Sequence, residues 1–211
     1  MNANEDELTR INSKHEFCTV AREQHCAVLQ FVSMDGTNKL SCACVLSLLQ
    51  AIEDLKLQAG CGDLQGLVIT GNRQFFSAGA DVNEIARLTG PAAFQFARLG
   101  QKLMHTIDTF PALVIAAVEG YCMGGGLDLA LACDCRMAAP SAIFGHRGAA
   151  LGLMTGWGGT QRLPRLIGKA RALEMFILAD KIHGAKAYEL GLVNMLSEEP
   201  VKQALAFFKY L

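Results

Sequence analysis

Leu113–Asp128 reads LVIAAVEGYCMGGGLD. The opening run, Leu113 to Val118, is continuously apolar, the pattern of a strand buried on both faces. A glycine loop begins at Gly120, and Leu127 to Ala132 then reads as helix. The same order occurs upstream, where Gly66–Thr70 (GLVIT) is followed by the loop Phe76–Val82 (FSAGADV) and a helical stretch. Buried strand, glycine loop, helix is the pattern of an α/β protein whose helices cover a sheet.

Working outward, Ala27 to Val32 reads as a short strand. Ser41 can cap a helix whose apolar positions Val45, Leu48, Leu49, Ile52 and Leu55 recur at helical spacing, and Gly60 and Gly62 end it. A short helix is expected from about Asn83 to Gly90-Pro91, and a longer one from about Ala92 to Thr109. Arg136 to Ala139 and Ile143-Phe144 read as extended. The remainder reads as mainly helical, through 159–167, 171–179 and 185–190. Residues 1–24 look polar and irregular. About 196–211 forms a short tail whose Phe207, Phe208 and Leu211 suit docking on a partner subunit. No linker or clean repeat appears, so 1–211 is expected to be a single domain.

Of 211 residues, 51 % are hydrophobic and 18 % charged, which supports a buried core and excludes disorder. The net charge is −1 with no block of one sign, so nothing suggests binding to nucleic acid or an anionic membrane. The most apolar stretch, Phe110–Val118, has nine residues, where a spanning helix requires ~20. MNANEDELTR carries acids and no apolar signal core. A soluble cytoplasmic protein is the expectation. The eight cysteines, at 18, 26, 42, 44, 61, 122, 133 and 135, include no CxxC; the close pairs are spaced CxC, and no histidine lies near enough in sequence to complete a zinc pattern. They read as small buried hydrophobes in a reducing compartment, with no metal site.

Loops without bulk let backbone N–H groups approach a ligand, and a helix N-terminus adds partial positive charge. Two such loops side by side could aim two amides at one oxygen, forming an oxyanion hole. A Walker-type phosphate loop is absent, and so is GxSxG. Gly60, Gly62 and Gly66 precede a strand and read as a turn. For Gly124 to Gly126 the alternative is close helix–strand packing without a ligand.

The run Val118–Arg165, VEGYCMGGGLDLALACDCRMAAPSAIFGHRGAALGLMTGWGGTQRLPR, strongly resembles the crotonase (enoyl-CoA hydratase/isomerase) family, as does FSAGADV upstream. The resemblance extends from about Ala27 to Met195. It implies a spiral of ββα units with helices packed around the sheets, an acyl-CoA thioester as ligand, and a thioester carbonyl held by two backbone amides. By position those amides are Ala80, after Gly79, and Gly125, the middle glycine of the run. Ala78 and Asp81 resemble the part of the loop that meets the CoA adenine and pantetheine. Gly79, Gly124 and Gly156 belong to the same binding surface, and Trp157 could shape an acyl pocket or stack on a ring. No separate cofactor is implied, because CoA is part of the substrate.

Hydratases of the family use two glutamates as acid and base. The first position here is Asp128 and the second is Gly148. Aspartate withdraws the carboxylate by about 1.5 Å, and misplacement of ~1 Å can cost on the order of a hundredfold in rate. A solvated or helix-capping acid is the alternative for Asp128. Naphthoate synthases of the family also have glycine at the second position and use a bound anion there; Arg147 could hold one, although the aspartate they place near the equivalent of Thr155 is absent. Asn83 stands where some members have a lysine near CoA phosphate.

Three readings therefore stand. The chain is a hydratase/isomerase-type lyase with Ala80, Gly125 and Asp128 as its catalytic groups; or a degenerate member that binds acyl-CoA or a partner without turnover; or a member performing isomerisation, decarboxylation or anion-assisted carbon–carbon bond formation. The family also implies a homo-oligomer, a trimer or hexamer, usually knitted by C-terminal helices that are shortened in this sequence.

Overall fold

The computed structural model describes residues 11–210. An antiparallel meander comes first: β1 (Ile11–Lys14), β2 (Cys18–Glu23) and β3 (Cys26–Phe31). This corrects the expectation of an irregular segment through residue 24. β2 looks irregular in sequence because only part of it is buried, with Cys18, Val20 and Ala21 inside and Thr19, Arg22 and Glu23 half-buried. Residues 1–10 lie outside the described residues.

β4 (Lys39–Leu40) leads into α1 (Cys42–Gly60), whose Ser41 cap accepts a hydrogen bond from the Cys44 N–H. Three further units follow. The first comprises β5 (Gly66–Thr70), β6 (Phe75–Ser77), β7 (Gly79–Ala80), α2 (Val82–Ile85) and α3 (Gly90–Asp108). The second is β8 (Leu113–Val118), β9 (Tyr121–Met123) and α4 (Gly125–Ala132). The third is β10 (Cys135–Ala138), β11 (Ile143–Gly145), a 3-10 turn at Ala149–Leu151, α5 (Gly159–Ile167) and α6 (Lys169–Leu178). β12 (Lys181–His183), α7 (Gly184–Glu189), β13 (Met195–Leu196) and α8 (Pro200–Phe208) complete the described chain.

Each unit sends its first strand to one sheet and its second to another. The long sheet has the order β1-β2-β3-β5-β8-β10-β13, parallel from β3 onward. The shorter sheet runs β12-β11-β9-β6, and β4 pairs with β7 alone. This is the spiral of ββα units the sequence led us to expect. β6 and β9 lie inside stretches read as loops, because three residues are too few to show a period, whereas β11 falls where Ile143-Phe144 was read as extended. β12 and β13 likewise interrupt a region read as helical.

The apolar runs of β5 and β8 are continuous because both faces of the long sheet are covered. Leu67, Ile69, Val114, Ala116 and Val118 face the main core with α1, α3 and α4. The intervening Val68, Ile115 and Ala117 face Ala204 and Phe208 of α8. The C-terminal residues are thus not a tail awaiting a partner: α8 closes the back of the sheet, and Phe208 is 5 % exposed. Leu211 lies outside the described residues. A Cβ at Gly66 would stand 2.1 Å from the Phe208 ring, so the bare backbone of Gly66 makes the seat for that ring.

Phe208→Ala should cost about 3–5 kcal/mol, and Gly66→Ala about 1–3 kcal/mol through overpacking. In a urea-denaturation cycle, Gly66→Ala should cost far less in the Phe208→Ala background, where its methyl enters vacated space. Additive costs would contradict this packing.

Candidate active site

The two glycine loops meet edge to edge. In the first, Ala78 and Asp81 donate their N–H groups to the Thr37 and Leu40 carbonyls, at 2.9 and 3.3 Å. Ser77 Oγ donates to the Asn38 carbonyl and accepts from the Gly79 N–H. Gly79 has a φ of +93°, and a Cβ there would lie 2.6 Å from the Met123 carbonyl and 3.1 Å from the Gly125 nitrogen. In the second loop, Gly124 takes φ +50°, ψ −117° and turns the chain into α4. A Cβ on Gly126 would lie 2.7 Å from the Ser77 Cβ, and one on Gly125 would lie 3.3 Å from the Ala80 nitrogen. The Ala80 and Gly125 amides therefore share one corner. Gly125 opens α4, so its N–H has no intrahelical acceptor.

That corner forms part of the wall of a cavity of about 280 Å³. Val82, Ile85, Leu88, Phe96 and Ala97 give it an apolar side. Of the residues expected to bind or act, Ala78, Gly79, Ala80, Gly124, Gly125, Asp128, Gly148, Gly156 and Trp157 all line it. Asp81 stands between the lining residues Ala80 and Val82 and is not itself part of the wall. Its carboxylate caps α2, accepting from the N–H groups of Asn83 and Glu84, and its own N–H is spent on Leu40.

Asp128 is neither solvated nor a surface cap, since it is 1 % exposed. It sits in the first turn of α4, where the helix dipole favours a negative charge. Burying a carboxylate without partners is costly, and two side chains answer that cost. Thr155 Oγ1 donates a hydrogen bond to Oδ2, and His146 Nε2 lies 3.2 Å from Oδ1. The N-terminus of α5 abuts the same pair: a Cβ on Gly159 would fall 2.1 Å from Oδ1 and 2.9 Å from His146 Nε2.

His146 and Thr155 are the neighbours that sequence reasoning did not connect to Asp128. They stand 18 and 27 positions away on other segments, and no spacing rule joins them. At Gly148 a Cβ would lie 2.7 Å from the Leu153 carbonyl, so the backbone leaves little room for a side chain. Arg147 is exposed at the cavity edge. Trp157, 5 % exposed, packs on Phe96 with ring centroids 5.1 Å apart. A Cβ on Gly125 would come 2.6 Å from its ring, so the indole fills the space beneath the glycine run.

The cysteines are unlinked. Burial pushes the Cys44 and Cys133 thiols up to about 12, while Cys61 is exposed. Among the described residues, no cluster of three or more His, Cys, Asp or Glu is arranged to hold a metal ion. No helix among them is long and apolar enough to cross a membrane.

Comparison with known proteins agrees with this architecture. The family model described as enoyl-CoA hydratase/isomerase matches residues 21–206. A probable enoyl-CoA hydratase of Bacillus subtilis is 39 % identical over 178 residues, covering 84 % of this chain and 67 % of its own. A crotonyl-CoA hydratase of Syntrophomonas wolfei is 37 % identical over 181 residues, covering 85 % and 68 %. The crystal structure of an enoyl-CoA hydratase from Bacillus anthracis superposes with a TM-score of 0.87 at 31 % identity, covering 92 % of this chain and 76 % of that one. The chain belongs to the enoyl-CoA hydratase/isomerase family.

Two outcomes test the site's construction. Gly126→Ala must push Ser77 or the α4 backbone aside, and should lower stability by about 1–3 kcal/mol in urea denaturation. Labelling of the native protein with a neutral maleimide near pH 7.5 should modify Cys61 first, with Cys44, Cys122 and Cys133 inert until unfolding, because a buried thiol with a raised pKa offers almost no thiolate.

Proposed function

We propose that the chain is a hydratase that adds water across the double bond of a 2-enoyl-CoA thioester, or removes it in reverse, through an enolate. One observation carries the reading: a buried carboxylate, Asp128, stands one turn from the paired Ala80 and Gly125 amides on the wall of an apolar cavity. The two amides would hold the thioester oxygen as it gains charge, where each donor contributes roughly 3–4 kcal/mol of transition-state stabilisation. Asp128 would take a proton from water as oxygen bonds to the β-carbon, and a proton would return to the α-carbon as the enolate collapses. The reaction needs no separate cofactor.

A second reading, binding of acyl-CoA without turnover, is favoured by Gly148, where a second carboxylate is missing. A panel of short trans-2-enoyl-CoA esters separates the two. The hydratase reading expects turnover that falls on the order of 10²- to 10⁴-fold in Asp128→Asn, with acyl-CoA binding retained in calorimetry. Binding without turnover in the natural chain would support the second reading, and full activity in Asp128→Asn would remove that residue from the mechanism.

The proposal includes a homo-oligomer in a reducing cytoplasm. Supporting it, Leu151, Leu153 and Met154 at the cavity mouth and Leu173, Ile177 and Leu178 on the adjoining α6 are exposed large apolar side chains, of the kind that marks interaction surfaces when clustered. The thiols are unlinked. Light scattering should give a trimer or hexamer mass.

A further inference from the structure

We propose that His146 is the proton partner of Asp128, and that this buried pair takes the place of the second carboxylate that Gly148 cannot supply. The inference rests on the hydratase reading and adds a residue to it.

Three observations carry it. His146 is 3 % exposed and the only buried one of the chain's five histidines. Its Nε2 stands 3.2 Å from Asp128 Oδ1, and both atoms are sealed from solvent without a hydrogen bond of good geometry to anything else. A pair of polar atoms left this way in a core costs free energy, and among the described residues His146 is the one ion-pair partner of Asp128. Asp128, His146 and Arg147 are the ionisable groups among the cavity's described lining residues, and Arg147 is exposed. α6 places the Phe176 ring 5.1 Å from the imidazole, and α5 places Gly159 against the pair.

Hydration by two acids divides the work, one group taking a proton from water and the other giving a proton to the α-carbon. With one carboxylate, the same group must do both. The water O–H bond breaks, the new C–O bond forms at the β-carbon, and the π electrons move onto the thioester oxygen held by the two amides. In the starting state the ring proton sits on Nδ1 and Nε2 faces Oδ1 with its lone pair; the proton that Asp128 takes from water then lies between Oδ1 and Nε2 while the enolate exists. As the thioester carbonyl re-forms, the pair releases a proton to the α-carbon and returns to its starting state. His146 never touches substrate in this scheme. It is a positioning residue and proton store acting through Asp128.

The test compares His146→Gln with Asp128→Asn on crotonyl-CoA. Glutamine offers an amide N–H toward Oδ1 but cannot hold a second proton. We expect kcat to fall about a hundredfold in His146→Gln with KM little changed, and the pH–rate profile to lose the limb the pair contributes. Wild-type kcat and an unchanged profile in His146→Gln, with Asp128→Asn inactive, would overturn this inference and leave the hydratase reading standing. An active Asp128→Asn would sink both. Should His146→Gln fail to fold, 15N-histidine NMR decides: the ring-nitrogen chemical shifts of His146 must differ between the natural chain and Asp128→Asn, and unchanged shifts overturn the pairing.

Discussion

Close contact between two loop backbones governs the geometry of this protein. Gly79 presses on the Met123 carbonyl and the Gly125 nitrogen, and Gly126 presses on Ser77. No side chain fits between them, so the loops are fixed to one another at van der Waals distance. The two sheets make this possible. Each strand of the long sheet hands the chain to a short strand of the second, and the loops after β6 and β9 emerge side by side because β6 and β9 are themselves neighbours. The tight packing expected as the rival of a ligand site is thus the device that brings the Ala80 and Gly125 amides together. Packing and site are the same structure.

The position of Asp128 follows from that interlock. Once α4 starts at Gly125, its first turn points a carboxylate into a region with almost no water. The surroundings answer with a hydroxyl that donates to the carboxylate, and an imidazole and the N-terminal end of α5 pack against it. Shortening glutamate to aspartate withdraws the group from the cavity by one bond. Here that withdrawal coincides with contact to His146 and Thr155, residues a more advanced carboxylate would meet differently.

Much of the architecture was legible in the sequence where burial is extreme or a cap is explicit. The runs GLVIT and LVIAAV gave β5 and β8 with their bounds, because coverage on both faces removes all polar positions. Ser41 marked the start of α1, and α5 fell at Gly159–Ile167 as expected. The start of α4 was placed two residues late, since Gly125 and Gly126 have poor helix propensity and their reason for being in the helix lies in Ser77 and Trp157. β2 was hidden by its half-buried polar positions. α8 was taken for a tail because nothing local reveals that the back of the sheet needs covering.

The sequence by itself determined the strand, loop and helix order and the two glycine loops, because backbone freedom and apolar runs are local properties written in consecutive residues; the family resemblance added Ala80, Gly125 and Asp128 as the groups to examine. Only the tertiary structure decided that Asp81 caps a helix, that Phe208 seals the sheet, and that Asp128 lies against His146 and Thr155. Those facts depend on which segments the spiral stacks together. Contacts between residues 18 to 142 positions apart leave no periodic trace in the chain that makes them.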